Sequence, residues 1–109
     1  MHVLLIRQVK KMDTSNKKAE SRLYQAILSL ETEEECRSFF EDLCTIKELQ
    51  DLSQRLEVAE MLHEGKIYQE VSKITGASTA TICRVNKCLN YGSSGYTTVL
   101  QRMKKEEQK

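Results

Sequence analysis

Apolar side chains recur every three or four positions along most of this 109-residue chain, and few segments alternate between apolar and polar residues. Proline is absent and runs of β-branched residues are short, so little in the pattern interrupts helices. The pattern predicts an all-α fold of about six helices. No linker rich in proline, glycine and serine divides the chain, which favours a single helical domain.

Two capping boxes predict where helices of the first half begin. Thr32 with Glu35 opens one helix. Thr45 with Glu48 opens a longer one, which should end at Gly65. The longer helix carries the best-defined apolar stripe, which we expect to face the core. The members of this stripe are Leu49, Leu52, Leu56, Ala59 and Leu62.

The predicted elements of the second half are shorter. Residues 66–75 carry one apolar stripe, which Gly76 interrupts. Ser78 can then cap a further helix that runs to Leu89. After a loop of glycine and serine, a last helix is predicted over residues 96–107. This order predicts two short helices joined by a glycine turn, followed by a final helix.

The first residues of the chain have no evident place in the helical pattern. We expect residues 1–16 to form a poorly ordered arm ahead of a helical domain over residues 17–109. Met12 offers an alternative start, in which case residues 1–11 would not belong to the natural protein. The apolar run Val3–Ile6 is too short for a signal peptide or a membrane span. We therefore expect a cytoplasmic protein without membrane contact.

Charge is distributed unevenly along the chain. The net charge is +4 over residues 1–30, −8 over residues 31–64 and +5 over residues 66–109. The basic C-terminal part favours a partner that carries phosphates, although the solvated faces of ordinary helices give similar patterns. The apolar fraction of 39% is low beside the roughly 45–50% of a typical globular domain. A lean core of this kind favours dimerisation, because a second copy supplies apolar contacts.

The four cysteines do not have the spacing of a zinc site, and only two histidines could assist them. We predict no metal site and expect free thiols that pack as small apolar side chains: Cys36, Cys44, Cys83 and Cys88. Redox sensing by Cys83 and Cys88 is the alternative, although residues five apart do not face each other on one helix. The chain also lacks a nucleophile–base–acid set, so we predict no enzyme.

The segment from Tyr68 to Leu89 has the pattern of a helix-turn-helix. Gly76 permits the positive φ of a tight turn, and the small Ser72 lets two helices approach closely. Apolar side chains that can pack inward flank the turn: Val71, Ala77, Ile82 and Val85. An ordinary helical hairpin within a core is the alternative interpretation.

Short polar side chains at the start of the second of these helices point to nucleic acid. Hydroxyl and methyl groups can contact base edges in the major groove, and nearby cations can contact phosphates. Residues 66–88 carry a net charge of +3, which predicts salt-sensitive binding to double-stranded DNA. The predicted DNA-contacting residues are Gln69, Lys73, Ser78, Thr79, Ala80, Thr81, Arg84 and Lys87.

Three stretches of the chain closely resemble the Trp repressor family: Leu43-Cys44-Thr45, Gln54-Arg55-Leu56-Glu57-Val58 and the recognition segment Gly76-Ala77-Ser78-Thr79-Ala80-Thr81-Ile82-Cys83-Arg84. The resemblance covers about residues 20–105 and is strongest to the YerC/YecD group of Gram-positive bacteria. It implies an intertwined homodimer of six-helix chains, whose two short helices form DNA-binding heads. It also implies a transcriptional regulator, a repressor, that binds a palindromic operator.

The resemblance also implies an effector pocket. In the Trp repressor the corepressor indole lies between two arginines, which Arg55 and Arg84 match, and Thr45 matches a pocket threonine. Two positions depart, because Val85 replaces a glycine and Cys88 replaces a serine. A β-branched side chain crowds a flat ring and a thiol is a weak hydrogen-bond partner, which argues against L-tryptophan as the ligand.

Other interpretations of the same residues stay open. Another small corepressor could lie between Arg55 and Arg84. Alternatively, Arg55 could pair with Asp51 four residues earlier, and Arg84 could contact a DNA phosphate. A different class of function is a helical dimeric protein-interaction module without sequence-specific DNA binding. Its acidic face, between Glu31 and Glu64, would then bind a basic partner.

Overall fold

The computed structural model describes the backbone of residues 2–108 and the side chains of residues 15–108. All regular structure in this range is helical, which confirms the predicted all-α class. The helices are α1 (His2–Leu28), α2 (Glu33–Leu43), α3 (Ile46–His63), α4 (Tyr68–Thr75), α5 (Thr79–Tyr91) and α6 (Gly95–Glu107). None of these helices combines the length and the apolar character that a membrane span requires.

The chain divides into two compact units, Met1–Leu43 and Cys44–Lys109. The first unit contains α1 and α2, and none of its described side chains, over residues 15–43, is buried. Leu28 at the end of α1 is 83% exposed. The arm expected over residues 1–16 stays a prediction, because the side chains of residues 1–14 lie outside the described residues.

Local hydrogen bonds explain where α2 and α3 begin. Thr32 Oγ1 accepts the backbone N–H of Glu35 at 3.0 Å before α2. At α3 the capping box is complete: Thr45 Oγ1 accepts the N–H of Glu48 at 3.1 Å, and the Glu48 carboxylate accepts the N–H of Thr45 at 2.9 Å. Hydrogen bonds from the backbone and then the side chain of Thr45 to the Glu48 carboxylate lower the pKa of Glu48 below its ordinary value. The predicted helix starts are therefore confirmed, but the first capping box is wrong in one bond, because the Glu35 carboxylate accepts the N–H of Glu31 at 2.9 Å and not that of Thr32.

Gly65 ends α3 as predicted. Its φ is 89°, its N–H donates to the Leu62 carbonyl, and the N–H of Lys66 donates to the Met61 carbonyl. This pair of bonds is the Schellman arrangement, which satisfies carbonyls that the helix end leaves without partners. The chain can therefore turn sharply from α3 toward α4.

The core of the second unit lies where α3 packs against α4, α5 and α6. Its buried members are Val58, Ala59, Met61, Val71, Ala77, Ile82, Val85 and Leu100. The expectation that the leucine stripe of α3 faces this core is wrong in part, because Leu52 is 40% exposed whereas Val58, outside the stripe, is fully buried. Helix α3 has two neighbouring apolar faces, and on the predicted one Leu52 is partly exposed whereas Ala59 is fully buried.

The cysteines are free thiols in the described part of the chain. Cys36 and Cys44 are half-buried, and Cys83 and Cys88 are exposed on α5. The expectation that all four pack as buried apolar side chains is wrong, because the buried face of α5 is occupied by the larger Ile82 and Val85.

Candidate nucleic-acid interface

Helices α4 and α5 and the three residues between them occupy the segment that was predicted to form a helix-turn-helix. Gly76 follows α4 with φ 74° and ψ 5°, in the left-handed region, as the turn requires. A Cβ atom on Gly76 would meet nothing within 4 Å. The preference for glycine therefore comes from the backbone conformation and not from lack of space.

Side-chain hydrogen bonds lock this turn from within. Ser72 Oγ donates to the Ala77 carbonyl at 3.1 Å. Thr75 Oγ1 donates to the Val71 carbonyl at 2.7 Å and accepts the N–H of Ala77 at 3.1 Å. The four apolar residues predicted to pack inward are at most 2% exposed: Val71, Ala77, Ile82 and Val85. Bonds and packing together hold the two helices in one relative orientation.

The first turn of α5 presents short side chains and no acidic residue. Ser78 caps the helix: its Oγ accepts the N–H of Thr81 at 3.2 Å and donates to Thr81 Oγ1 at 3.1 Å. Thr79 and Ala80 are exposed beside this cap. A hydroxyl, a methyl and the positive end of the helix dipole therefore face solvent together, a combination that suits base edges and phosphates.

The charge on this surface is positive and unpaired. Lys73, Arg84 and Lys87 are exposed, and none has an ion-pair partner among the described residues. The acidic residue of the segment, Glu70, lies 3.9 Å from the Nζ of Lys66. Because this contact offsets the charge of Glu70, the three other cations remain available to phosphate groups.

The predicted DNA-contacting residues all lie on α4, the turn or α5. Seven of the eight are exposed, and Thr81 is half-buried. Gln69 lines a shallow pocket of about 440 Å³ between the starts of the two helices, with Tyr68, Ser72 and Thr79 among its other lining residues. The sequence pattern did not single out Tyr68 as a member of this surface, because a tyrosine at a helix start gives no signal of its own. Contact of these residues with DNA stays a prediction.

The five residues of the predicted effector pocket do not meet in one cavity. Arg55 and Arg84 line a polar cleft of about 270 Å³, whose other lining residues are Lys47, Asp51, Gln54 and Thr81. The alternative pairing of Arg55 with Asp51 is wrong, because Asp51 lies 3.4 Å from Lys47 Nζ instead. Arg55 has no ion-pair or hydrogen-bond partner in the described part of the chain.

The other three residues of the predicted pocket lie in different parts of the fold. Thr45 caps α3, and Val85 is 1% exposed within the core, so its side chain does not line the cleft. Cys88 lines a separate apolar pocket of about 540 Å³ with Leu56 and Tyr96, between α3, α5 and α6. No group of three potential metal ligands is present among the described residues.

Comparison with known proteins finds one family and several relatives. The family model described as Trp repressor protein matches residues 18–104. The uncharacterized protein YerC of Bacillus subtilis (strain 168) is 53% identical over 96 residues, which cover 88% of this chain and 92% of YerC.

Two solved structures are similar to this chain. One is a candidate Trp repressor from Staphylococcus aureus, with a TM-score of 0.78 and 50% identity, covering 80% of this chain and 87% of that one. The other is a TrpR-like protein from Eubacterium eligens ATCC 27750, with a TM-score of 0.77 and 55% identity. The second match covers 79% of this chain and 89% of that one.

Proposed function

The chain belongs to the Trp repressor family, a family of DNA-binding regulators and not of enzymes, and we propose that it binds DNA sequence-specifically. In this proposal two copies act as a homodimer on a palindromic operator in the bacterial cytoplasm. The bound dimer represses transcription by occupying the DNA.

The observation that carries the proposal is the exposed surface of α5. Its first turn has no acidic residue and presents Thr79 and Ala80, while Arg84 and Lys87 on the same helix have no ion-pair partner in the described structure. A recognition helix uses its first turns for base edges and its cations for phosphates. Contacts through water, of the kind that the Trp repressor makes to its operator, would let such short side chains contribute to sequence preference.

Unburied apolar surface supports the homodimer. No described side chain of α1 or α2 is buried, although both helices carry apolar residues such as Leu28 and Leu43. In the second unit, Leu52 of α3 and Val99 of α6 are at least 40% exposed. A second copy would cover surface of this kind and complete the lean core. Its two recognition helices would then lie about 34 Å apart, one turn of DNA.

Selection of bound duplexes from a random pool tests the proposal. The purified full chain is incubated with the pool near physiological salt, and the recovered DNA is sequenced. We expect a palindrome whose half-site centres lie about 10 base pairs apart. A pool without any enriched motif would contradict the proposal and favour the protein-interaction module, in which the acidic residues between Glu31 and Glu64 bind a basic partner.

The cleft between α3 and α5 supports a second proposal, a small-molecule effector other than L-tryptophan. Arg55 and Arg84 both line this cleft without ion-pair partners in the described structure, and guanidinium groups bind carboxylates and stack on aromatic rings. Calorimetric titration with benzoate, inorganic phosphate and L-tryptophan tests it. We expect heat from the aromatic carboxylate that disappears in Arg55→Ala but persists in Arg37→Ala, an exposed arginine of α2. No heat from any of the three would contradict this proposal.

A further inference from the structure

Gln54 of α3 makes a hydrogen bond that spans far more of the sequence than the side-chain bonds around it. Its Nε2 donates to the backbone carbonyl of Thr75 at 3.2 Å, across 21 positions of sequence and in a partly buried setting. Within residues 45–92, every other side-chain hydrogen bond joins residues at most five positions apart. Gln54 therefore supplies a directional bond between α3 and the helix-turn-helix.

The acceptor lies at the junction of the two short helices. Thr75 is the last residue of α4, and its carbonyl is among those that a helix end leaves without an intrahelical partner. The hydroxyl of the same residue bonds Val71 and Ala77 within the turn. A bond to this carbonyl therefore acts on α4 and α5 as one rigid body, which we call the DNA-reading head (residues 68–91).

Apolar packing alone would hold the head less specifically. The head rests on α3 through apolar side chains of one buried cluster, which includes Val58 of α3 and Val71 and Ile82 of the head. Apolar contact is not directional, so small rotations of the head would lose little of it. A hydrogen bond weakens steeply when its angle or length departs from the preferred geometry. The Gln54–Thr75 bond therefore resists the rotations that apolar contact tolerates.

We propose that Gln54 is a positioning residue that sets the angle of the DNA-reading head on α3, and thereby the half-site spacing that the homodimer accepts. This inference rests on the proposed function. In a two-fold dimer, the separation of the recognition helices follows from how each head sits on its own scaffold. Base preference within a half-site depends instead on the exposed side chains of α5, which Gln54 does not join.

The test measures affinity for a series of duplexes that share the selected half-sites and differ only in spacing, by one or two base pairs either way. Gln54→Met keeps the length of the side chain and removes the donor. Gln54→Glu keeps the shape and places a carboxylate oxygen against the Thr75 carbonyl. Gln50→Met is the matched control, because Gln50 lies exposed on the same helix without a described hydrogen bond.

We expect the preference of the wild-type chain for its best spacing to fall about three- to tenfold in Gln54→Met, the effect of losing one hydrogen bond. The spacing preference should fall at least as far in Gln54→Glu, and Gln50→Met should keep the spacing profile of the wild type. The half-site sequence that each variant selects should not change. Each preference is a ratio measured on one preparation, so partial unfolding of a variant does not alter it.

Two results would overturn the inference, and they are distinguishable. If the wild-type chain selects no palindrome, the proposed function fails and this inference fails with it. If the wild type selects a palindrome but both Gln54 variants keep its spacing profile, the positioning role alone is refuted. Binding that is weaker by one common factor at every spacing counts as such an unchanged profile, because Gln54 would then serve only stability.

Discussion

The backbone N–H of Gly76 donates to the carbonyl of Ser72 at 2.9 Å while Gly76 holds a φ of 74°. We predict that Gly76→Ala lowers the free energy of unfolding by about 1 kcal/mol, because an L side chain is disfavoured in this region. Urea unfolding measures the change. Gly95→Ala is the control, because the space around Gly95 is equally open but its φ is not positive. This variant should lose no stability. Equal losses in the two variants would refute the backbone explanation.

Arg84 is predicted to bind DNA through phosphate. Arg84→Ala should weaken binding to operator and unrelated DNA by similar factors, and should reduce the slope of log affinity against log salt by about 0.9. Salt titrations of fluorescent duplexes measure both effects. Arg102→Ala, which removes an exposed arginine of α6, should leave the slope nearly unchanged. A variant that loses affinity for the operator alone would assign Arg84 to base contact instead.

Thr81 is predicted to influence which sequence is bound. Thr81→Val keeps the β-branched shape and the backbone N–H that Ser78 accepts, and removes the hydroxyl. We expect a changed base preference at one position of each half-site, with a penalty on the original operator of about 1–3 kcal/mol. Repeating the selection from a random pool checks this. An unchanged motif would show that the hydroxyl serves the helix cap and not the DNA.

Ile82 holds the helix-turn-helix on its core. Ile82→Ala should destabilise the chain by about 2–5 kcal/mol, because the side chain is 1% exposed and its removal leaves a cavity. Ile74 offers a matched comparison, since it is 56% exposed on α4. Ile74→Ala should change the unfolding free energy much less. Chemical denaturation of both variants decides the matter, and similar losses would contradict the packing described for α4 and α5.

The capping box of α3 predicts a dependence of stability on pH. Hydrogen bonds from Thr45 hold the pKa of Glu48 below 4.5 in the folded chain, so the unfolded chain binds the proton more tightly. The stabilisation is complete above about pH 4.5 and is lost as pH falls through the lowered pKa of the folded state. The stability difference between wild type and Glu48→Gln should therefore narrow below that pH. Urea unfolding at a series of pH values measures this difference, and a difference that does not narrow as the pH is lowered would contradict the prediction.

Local features of the fold were predictable from sequence because their causes are local. The capping box of Thr45 and Glu48, the glycine end at Gly65 and the left-handed Gly76 each involve residues within five positions. The recognition segment from Gly76 to Arg84 also identified the family correctly, and the all-α, Trp-repressor-like fold is confirmed. DNA contact, dimerisation and effector binding stay predictions.

Features that depend on which surfaces meet were harder to predict. Periodicity found the apolar stripe of α3 but not the second face that carries Val58, because two overlapping stripes give one broad signal. The spacing allowed Asp51 to pair with Lys47, four residues earlier, or with Arg55, four residues later. In the structure Asp51 pairs with Lys47, and Arg55 lines the cleft. The resemblance placed Cys88 and Arg84 in one pocket, yet the two residues, four apart on α5, line different cavities.

The absence of any buried side chain over residues 15–43 bears on how much protein a cell must make. Under the proposed homodimer, α1 and α2 would complete their apolar contacts only when two chains meet, so their folding would be second order in protein concentration. The midpoint of thermal unfolding would then rise with total concentration. At low abundance, a regulator of this design would be both dilute and partly unfolded. Operator occupancy would therefore rise more steeply with abundance than simple binding predicts.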